Sequence, residues 1–149
     1  YIRRKVLGDG GAELTALQAE FSQMADTQAS RPELAPLAGV VQQRIGEWRE
    51  LSAAVIAMSQ RDVQEIGASS VDFLAYSAYV LLAGFWLQAA ARAQDALEAG
   101  SGEAAFYEAK LHSAAFYLRR ILPRASAHRE ALLGGADCLM AMPAASFAF

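Results

Sequence analysis

Apolar residues recur at Leu14, Leu17, Phe21 and Met24, in steps of three and four. That spacing puts them on one helical face and predicts a helix from about Gly11 to Ala29. Ser30-Arg31-Pro32-Glu33 then reads as a capping box, with Ser30 as N-cap and Glu33 three residues on. The next stripe runs through Leu34, Leu37, Val41, Ile45, Trp48, Leu51, Val55 and Met58. Its opposite face carries Gln42, Gln43, Glu47, Arg49 and Glu50. This is an amphipathic helix of about seven turns with one wet side. Gly67 is expected to end it or its frayed tail, and Ser69-Ser70-Val71-Asp72 offers the next N-cap with an acid in the first turn.

The third segment, from about Ser70 to Ala99, is apolar on all sides. Phe73 to Ala91 carries no charge, which is the length of a membrane span. Tyr76, Ser77, Tyr79 and Gln88 interrupt it, and no cluster of Lys or Arg flanks it, so a helix buried at the centre of a bundle is the preferred reading. Gly100-Ser101-Gly102 closes the segment, and Ser101 is expected to cap the fourth, which runs from near Glu103 to Leu122. Pro123 lacks an N–H and clashes with the preceding turn, so a kink or break belongs there before the pattern resumes to Leu133. Gly134-Gly135 stops it, and a short turn from Ala136 to Met142 precedes Pro143 and the tail. The expected fold is all-α: an antiparallel up-and-down four-helix bundle in one domain spanning residues 1–149, its fourth helix kinked or broken at Pro123. At the other end, Tyr1 to Leu7 followed by Gly8-Asp9-Gly10-Gly11 reads as the last turns of a helix begun upstream, with a short frayed terminal helix as the alternative.

Composition sharpens this picture. The chain holds 33 Ala against 14 Val, Ile and Thr together, which argues against a β-rich fold. Hydrophobic residues make up 54% and charged residues 19%, a balance that argues against disorder. A net charge of -3 argues against nucleic acid as the main partner. The single cysteine, Cys138, excludes an intrachain disulfide and a Cys-based zinc cluster, and is expected to be a small buried hydrophobe.

Candidate chemistry is sparse. Glu108 and His112 lie four apart, whereas a di-iron bundle uses Glu and His three apart on two helices, so an ordinary helix-surface pair is expected and no metal ligand is assigned. No Gly-rich phosphate loop follows a strand, and no catalytic or cofactor-binding residue is assigned. Phe106, Tyr107, Phe116 and Tyr117 are expected in the core. One charge feature stands out: Arg119, Arg120, Arg124, His128 and Arg129 crowd together, and Arg120, Arg124 and His128 are spaced four apart. Arg120 and Arg124 are the candidates for an interface or anion contact, set against a solvated helical face.

Four strings in order carry a resemblance. Arg4-Lys5-Val6-Leu7-Gly8-Asp9-Gly10-Gly11, Phe106-Tyr107-Glu108-Ala109-Lys110-Leu111, Ala115-Phe116-Tyr117 through Leu122-Pro123, and Gly135-Ala136-Asp137-Cys138-Leu139-Met140 together resemble the extra C-terminal helical domain of a bacterial acyl-CoA dehydrogenase subfamily. Cys138 departs from the Ser expected there, and the tail after Met142 matches loosely. The resemblance implies an accessory domain, cut from a longer, cytoplasmic, FAD-dependent enzyme that removes an α-proton and a β-hydride from an acyl-CoA thioester. Its implied partners are the upstream dehydrogenase core and the other subunits of an oligomer, with acyl-CoA reaching the core. In that subfamily the base is a glutamate in a Tyr-Glu-Gly-Thr string ahead of the stretch matching Tyr1. Glu108 follows Tyr107 but precedes Ala109-Lys110, so it does not inherit the role, and the chain is expected to be inactive alone. The family includes members acting on methylthiopropionyl-CoA, so the acyl chain length stays open. The alternative is a free-standing helical module that binds an acidic or lipid partner through the arginines.

Overall fold

The computed structural model describes residues 2–100 and 102–147. The described residues form helices joined by short turns, without a strand. Ile2–Val6 forms a wide helical turn whose Ile2 and Val6 are fully buried in the core. Gly10 and Gly11 then take positive φ angles of 68° and 83°, which side chains with a Cβ rarely adopt. Asp9 closes this turn: its Oδ1 accepts from the Gly11 N–H at 3.0 Å and its Oδ2 from the Glu13 N–H at 2.9 Å. These bonds satisfy orphan donors at the start of α1, Ala12–Ala29, and hold the Asp9 carboxyl below its usual range.

The link to α2, Ala35–Arg61, differs from the expected capping box. The Ser30 hydroxyl donates backward to the Thr27 carbonyl at 2.8 Å, serving the end of α1. Leu34 is the N-cap of α2 without a side-chain cap, and Pro36 sits in the first turn, where its missing N–H costs nothing. Nor does Gly67 end α2. The chain turns at Asp62, whose extended backbone breaks the helix, and whose Oδ1 accepts from the Gln64 N–H at 2.8 Å. An Asp two residues ahead starts a helix at once, so α3 runs from Gln64 to Glu98 with Gly67 inside it. Ser69 and Ser70 are helix-interior residues, donating to the carbonyls of Glu65 and Ile66 one turn back.

α2 and α3 lie antiparallel, as their cross-links show. Midway along α2, the fully buried Trp48 indole N–H donates to Ser77 Oγ at 2.9 Å. The Tyr76 hydroxyl donates to Glu47 Oε2 at 2.8 Å. At the far end Arg31, just before α2, meets Asp95 and Glu98 at 2.7 and 3.2 Å. α1 returns along α2 in the same sense, with Gln18 Nε2 donating to Ser52 Oγ at 3.0 Å and Gln42 Nε2 to Asp26 Oδ1 at 2.6 Å. Where α1 crosses α3, the ring of Phe21 lies on Gly84, and a Cβ there would stand 2.0 Å from Phe21 Cδ1.

The fourth segment begins as α4, Ala104–Phe116. The expected cap Ser101 lies outside the described residues. At Phe116 the α-ladder passes into a π turn over Tyr117–Ile121 and a tight turn over Leu122–Arg124 containing Pro123. It resumes as α5, Ala125–Leu133, and Gly134 ends it as expected. A short α6, Asp137–Met140, follows. α5 packs on the first half of α3 and α4 on the second, so α3 touches every long helix. Trp48, Phe73, Tyr76, Leu87 and Leu122 fill the core between them.

Candidate functional site

α3 is apolar all round, but it is not buried all round. Phe73, Tyr76, Val80, Ala83 and Leu87 face the core, whereas Val71, Leu74, Leu82 and Phe85 are exposed on its outer side. Leu81, mid-segment, is half-buried rather than central. The helix is long and apolar enough to cross a membrane by length and composition. The Leu82 and Phe85 end of this stripe stands beside α4, where Phe106 and Phe116 are also exposed, against the expectation that the α4 aromatics are core. Of the four, Tyr117 alone is buried.

Between α3 and α4 these residues line an open trough in two parts that meet at Trp86. One part is walled by Leu82, Phe85, Ala89 and Lys110. The other, of about 520 Å³, is walled by His112, Ser113, Phe116, Tyr117 and Ile121. The π turn shapes this second wall. It turns Tyr117, Leu118 and Leu122 inward and leaves Arg119 and Arg120 exposed. The Tyr117 ring stacks on Trp86 with centroids 6.3 Å apart, and its hydroxyl donates to the Tyr79 carbonyl at 3.0 Å. Burial, with a smaller push from Tyr79, raises the Tyr117 phenol to about 12, so it stays a neutral donor. Lys110 Nζ lies 5.0 Å from the centre of the exposed Phe106 ring, a cation–π contact that holds the ammonium at the rim.

The structure separates the predicted basic cluster. Arg120 and Arg124 are exposed and carry no ion pair among the described residues. His128 does not join them. Its Nδ1 lies 2.8 Å from Asp72 Oδ1 and its ring faces Tyr79, tying α5 to α3. Glu108 and His112 are both exposed, and Cys138 is exposed too, because α6 buries none of its residues. Among the described residues no three His, Cys, Asp or Glu side chains gather as a metal site.

Several other polar side chains act as ties between helices, whereas Glu65 Oε2 is buried without a hydrogen-bond partner. Arg44 Nη1 bonds Glu47 Oε2 at 2.7 Å and Ser126 Oγ at 3.3 Å, joining α2 to α5. Burial pushes the Glu47 carboxyl up, but hydrogen bonds from Tyr76 and Arg44 outweigh it and leave the group below its ordinary value. Burial and the Glu47 partner together raise the Tyr76 phenol well above its own. Such an arrangement positions helices. What it presents outward is the α3–α4 trough. The sequence carried one sign of it: Leu82, Phe85 and Ala89 continue an apolar stripe on α3 beyond the face that the core can use.

Comparison with known proteins agrees with the resemblance. Residues 17–143 match the family described as "Acetyl-CoA dehydrogenase C-terminal like". The chain is 29% identical over 153 aligned positions to the "Broad-specificity linear acyl-CoA dehydrogenase FadE5" of Mycobacterium tuberculosis. That alignment covers 97% of the chain and 25% of the relative, so the chain spans about a quarter of the relative's length. The chain belongs to the acetyl-CoA dehydrogenase C-terminal-like family.

Proposed function

We propose that this member of the family serves as the accessory C-terminal domain of an FAD-dependent acyl-CoA dehydrogenase, and that it supports packing of the dehydrogenase core or assembly of the oligomer. The observation that carries this reading is the family match over residues 17–143, joined to the quarter-length coverage of a relative named as an acyl-CoA dehydrogenase. The exposed apolar side of α3 supports it, since contiguous apolar surface on a folded domain marks a contact face. We read the helices as an up-and-down four-helix bundle whose fourth member bends at Pro123, a compact body suited to docking as a unit. The proposed setting is cytoplasmic.

The α3–α4 trough does not suit a flavin. A bound FAD needs a cradle of backbone or side-chain donors around its pyrophosphate and an enclosed slot for its ring. The α3–α4 trough is open, and Lys110 and His112 are the charged or titratable rim groups it offers besides the buried Tyr117. We therefore route no step of the dehydrogenation through this chain and assign the base and the flavin to the proposed core.

The test has two arms. The purified chain is expected to be colourless and to reduce no electron acceptor with any acyl-CoA; flavin retained through gel filtration overturns the reading. The complete reading frame, expressed with and without residues 12–147, is expected to differ in oligomer size or in thermal stability of its flavin-bound form. Identical size and stability would show that the domain supports neither.

A further inference from the structure

We propose that the α3–α4 trough is the seat of an amphipathic helix whose apolar stripe is edged with carboxylates. Three observations converge on that occupant. The floor is apolar and aromatic: Leu82, Phe85, Trp86, Phe116 and Ile121. The trough is open along its length, whereas a small-molecule site would enclose most of its ligand, so an elongated occupant fits it better. Apolar anchors spaced at three and four along a helix are the shape that such grooves take.

Charge then selects the flanks of the occupant. The chain as a whole is acidic, with a net charge of -3, yet the lining of the trough contains Lys110 and His112 and no Asp or Glu. Arg119 and Arg120 are exposed at the end of the same wall. Lys110 is already held over the Phe106 ring, so its ammonium is placed at the rim before any partner arrives. A carboxylate-edged helix meets complementary charge here, and a basic one meets repulsion.

A second copy of this chain is the weaker occupant. The acidic helix nearest in character, α1 with Glu20 and Asp26, has its own stripe of Leu14, Phe21 and Ala25 buried against its neighbours. Along the trough the fixed cation is Lys110 on the α4 edge, while Glu20 stands on the α1 side of Phe85, so two copies meeting face to face through α4 would bring Lys110 to Lys110. This occupancy holds whether or not the parent is an acyl-CoA dehydrogenase, because what it specifies is the chemistry of the helix.

The tryptophans supply the readout. Trp86 lines the trough, and Trp48 is fully buried elsewhere and serves as a silent reference. The probe is a synthetic helical peptide of about 18 residues, roughly 27 Å long. It carries leucines at every third and fourth position, with glutamates beside them. Its control has lysines in place of the glutamates. The acidic peptide is expected to shift Trp86 emission saturably, to protect residues 82–89 and 110–121 from hydrogen exchange, and to bind more weakly as salt rises. Lys110→Glu is expected to weaken it about tenfold, the change that ~1.4 kcal/mol makes. Phe116→Ala is expected to weaken it too while leaving the circular dichroism and melting temperature unchanged, since that ring is exposed. Equal binding of the two peptides, or no binding of either, overturns the proposal. So does a concentration-dependent dimer that alone shifts Trp86, or a shift produced by vesicles of anionic phospholipid but not by the peptide.

Discussion

At Gly84 a missing methyl group decides how closely two helices approach. The Phe21 ring occupies the space that a Cβ would need, at 2.0 Å from Cδ1. Gly84→Ala would gain helix propensity, yet it must push a core ring aside. Overpacking of this kind costs about 1–3 kcal/mol, so net destabilisation is expected in urea titrations. Ser77 offers a second case. Its hydroxyl accepts from Trp48 and donates to the Phe73 carbonyl at 2.7 Å, in the buried core. Ser77→Ala leaves the indole N–H without a partner, which costs roughly 1–3 kcal/mol. Titration of the Glu47–Tyr76 tie and of Tyr117 in the π turn has a definite sign at both ends of the pH scale. The Glu47 carboxyl is lowered from 4.5 in the fold, so its contribution is present above that value and is lost as acid protonates it. The Tyr117 phenol is raised from 10.0 to about 12, and Tyr76 is raised as well. Their contribution is complete below pH 10 and falls as pH climbs through the folded-state values. Phenolate absorbance followed against pH should show these two tyrosines ionising late and together with unfolding. Ionisation of every tyrosine near 10 in the intact fold would contradict the burial assigned to them.

Among the helices, α3 shows what periodicity reveals and what it conceals. On α2, apolar and polar positions alternate with helical spacing, and its stripe from Val41 to Met58 is the buried face that the sequence indicates. On α3 nearly every position is apolar, so the pattern marks a helix without saying which side is covered. The two sides are expected to respond differently to the same change. Leu87 is fully buried, and Leu87→Asp places a carboxylate there without partners, at a cost of several kcal/mol, enough to unfold the domain. Leu82 is 48% exposed, and Leu82→Asp is expected to shift stability by no more than about 0.5 kcal/mol. Circular dichroism melts of the two variants test the assignment of faces. The helix starts were harder to read. Ser30 and Ser69-Ser70 have the residue types of caps, but hydroxyls bond backward to a helix carbonyl as readily as forward. Asp9 and Asp62, which do receive the first N–H groups, sit beside glycines or a helix end where nothing in the hydrophobic pattern points to them.

At the scale of the whole molecule, the arginines and the trough are separate outward features with different chemistry. The sequence grouped Arg120, Arg124 and His128 by spacing alone. The π turn and the tight turn at Pro123 break the register between them, so His128 swings to Asp72 on α3 while the two arginines stay in solvent. Two exposed, unpaired guanidinium groups at a bend are well suited to a carboxylate on another body, because the planar fork pairs bidentately and is weakly hydrated. Changing both to Glu removes no ion pair or hydrogen bond among the described residues, so the isolated domain is expected to fold with its stability altered by under about 0.5 kcal/mol. In a full-length dehydrogenase carrying this domain, the double change is expected to weaken assembly or docking, and rising salt should weaken the unchanged protein in the same direction. Size measured by light scattering across a salt series, for both proteins, decides it. An oligomer indifferent to salt and to both substitutions would assign these arginines to a solvated helical face and leave the apolar trough as the contact that matters.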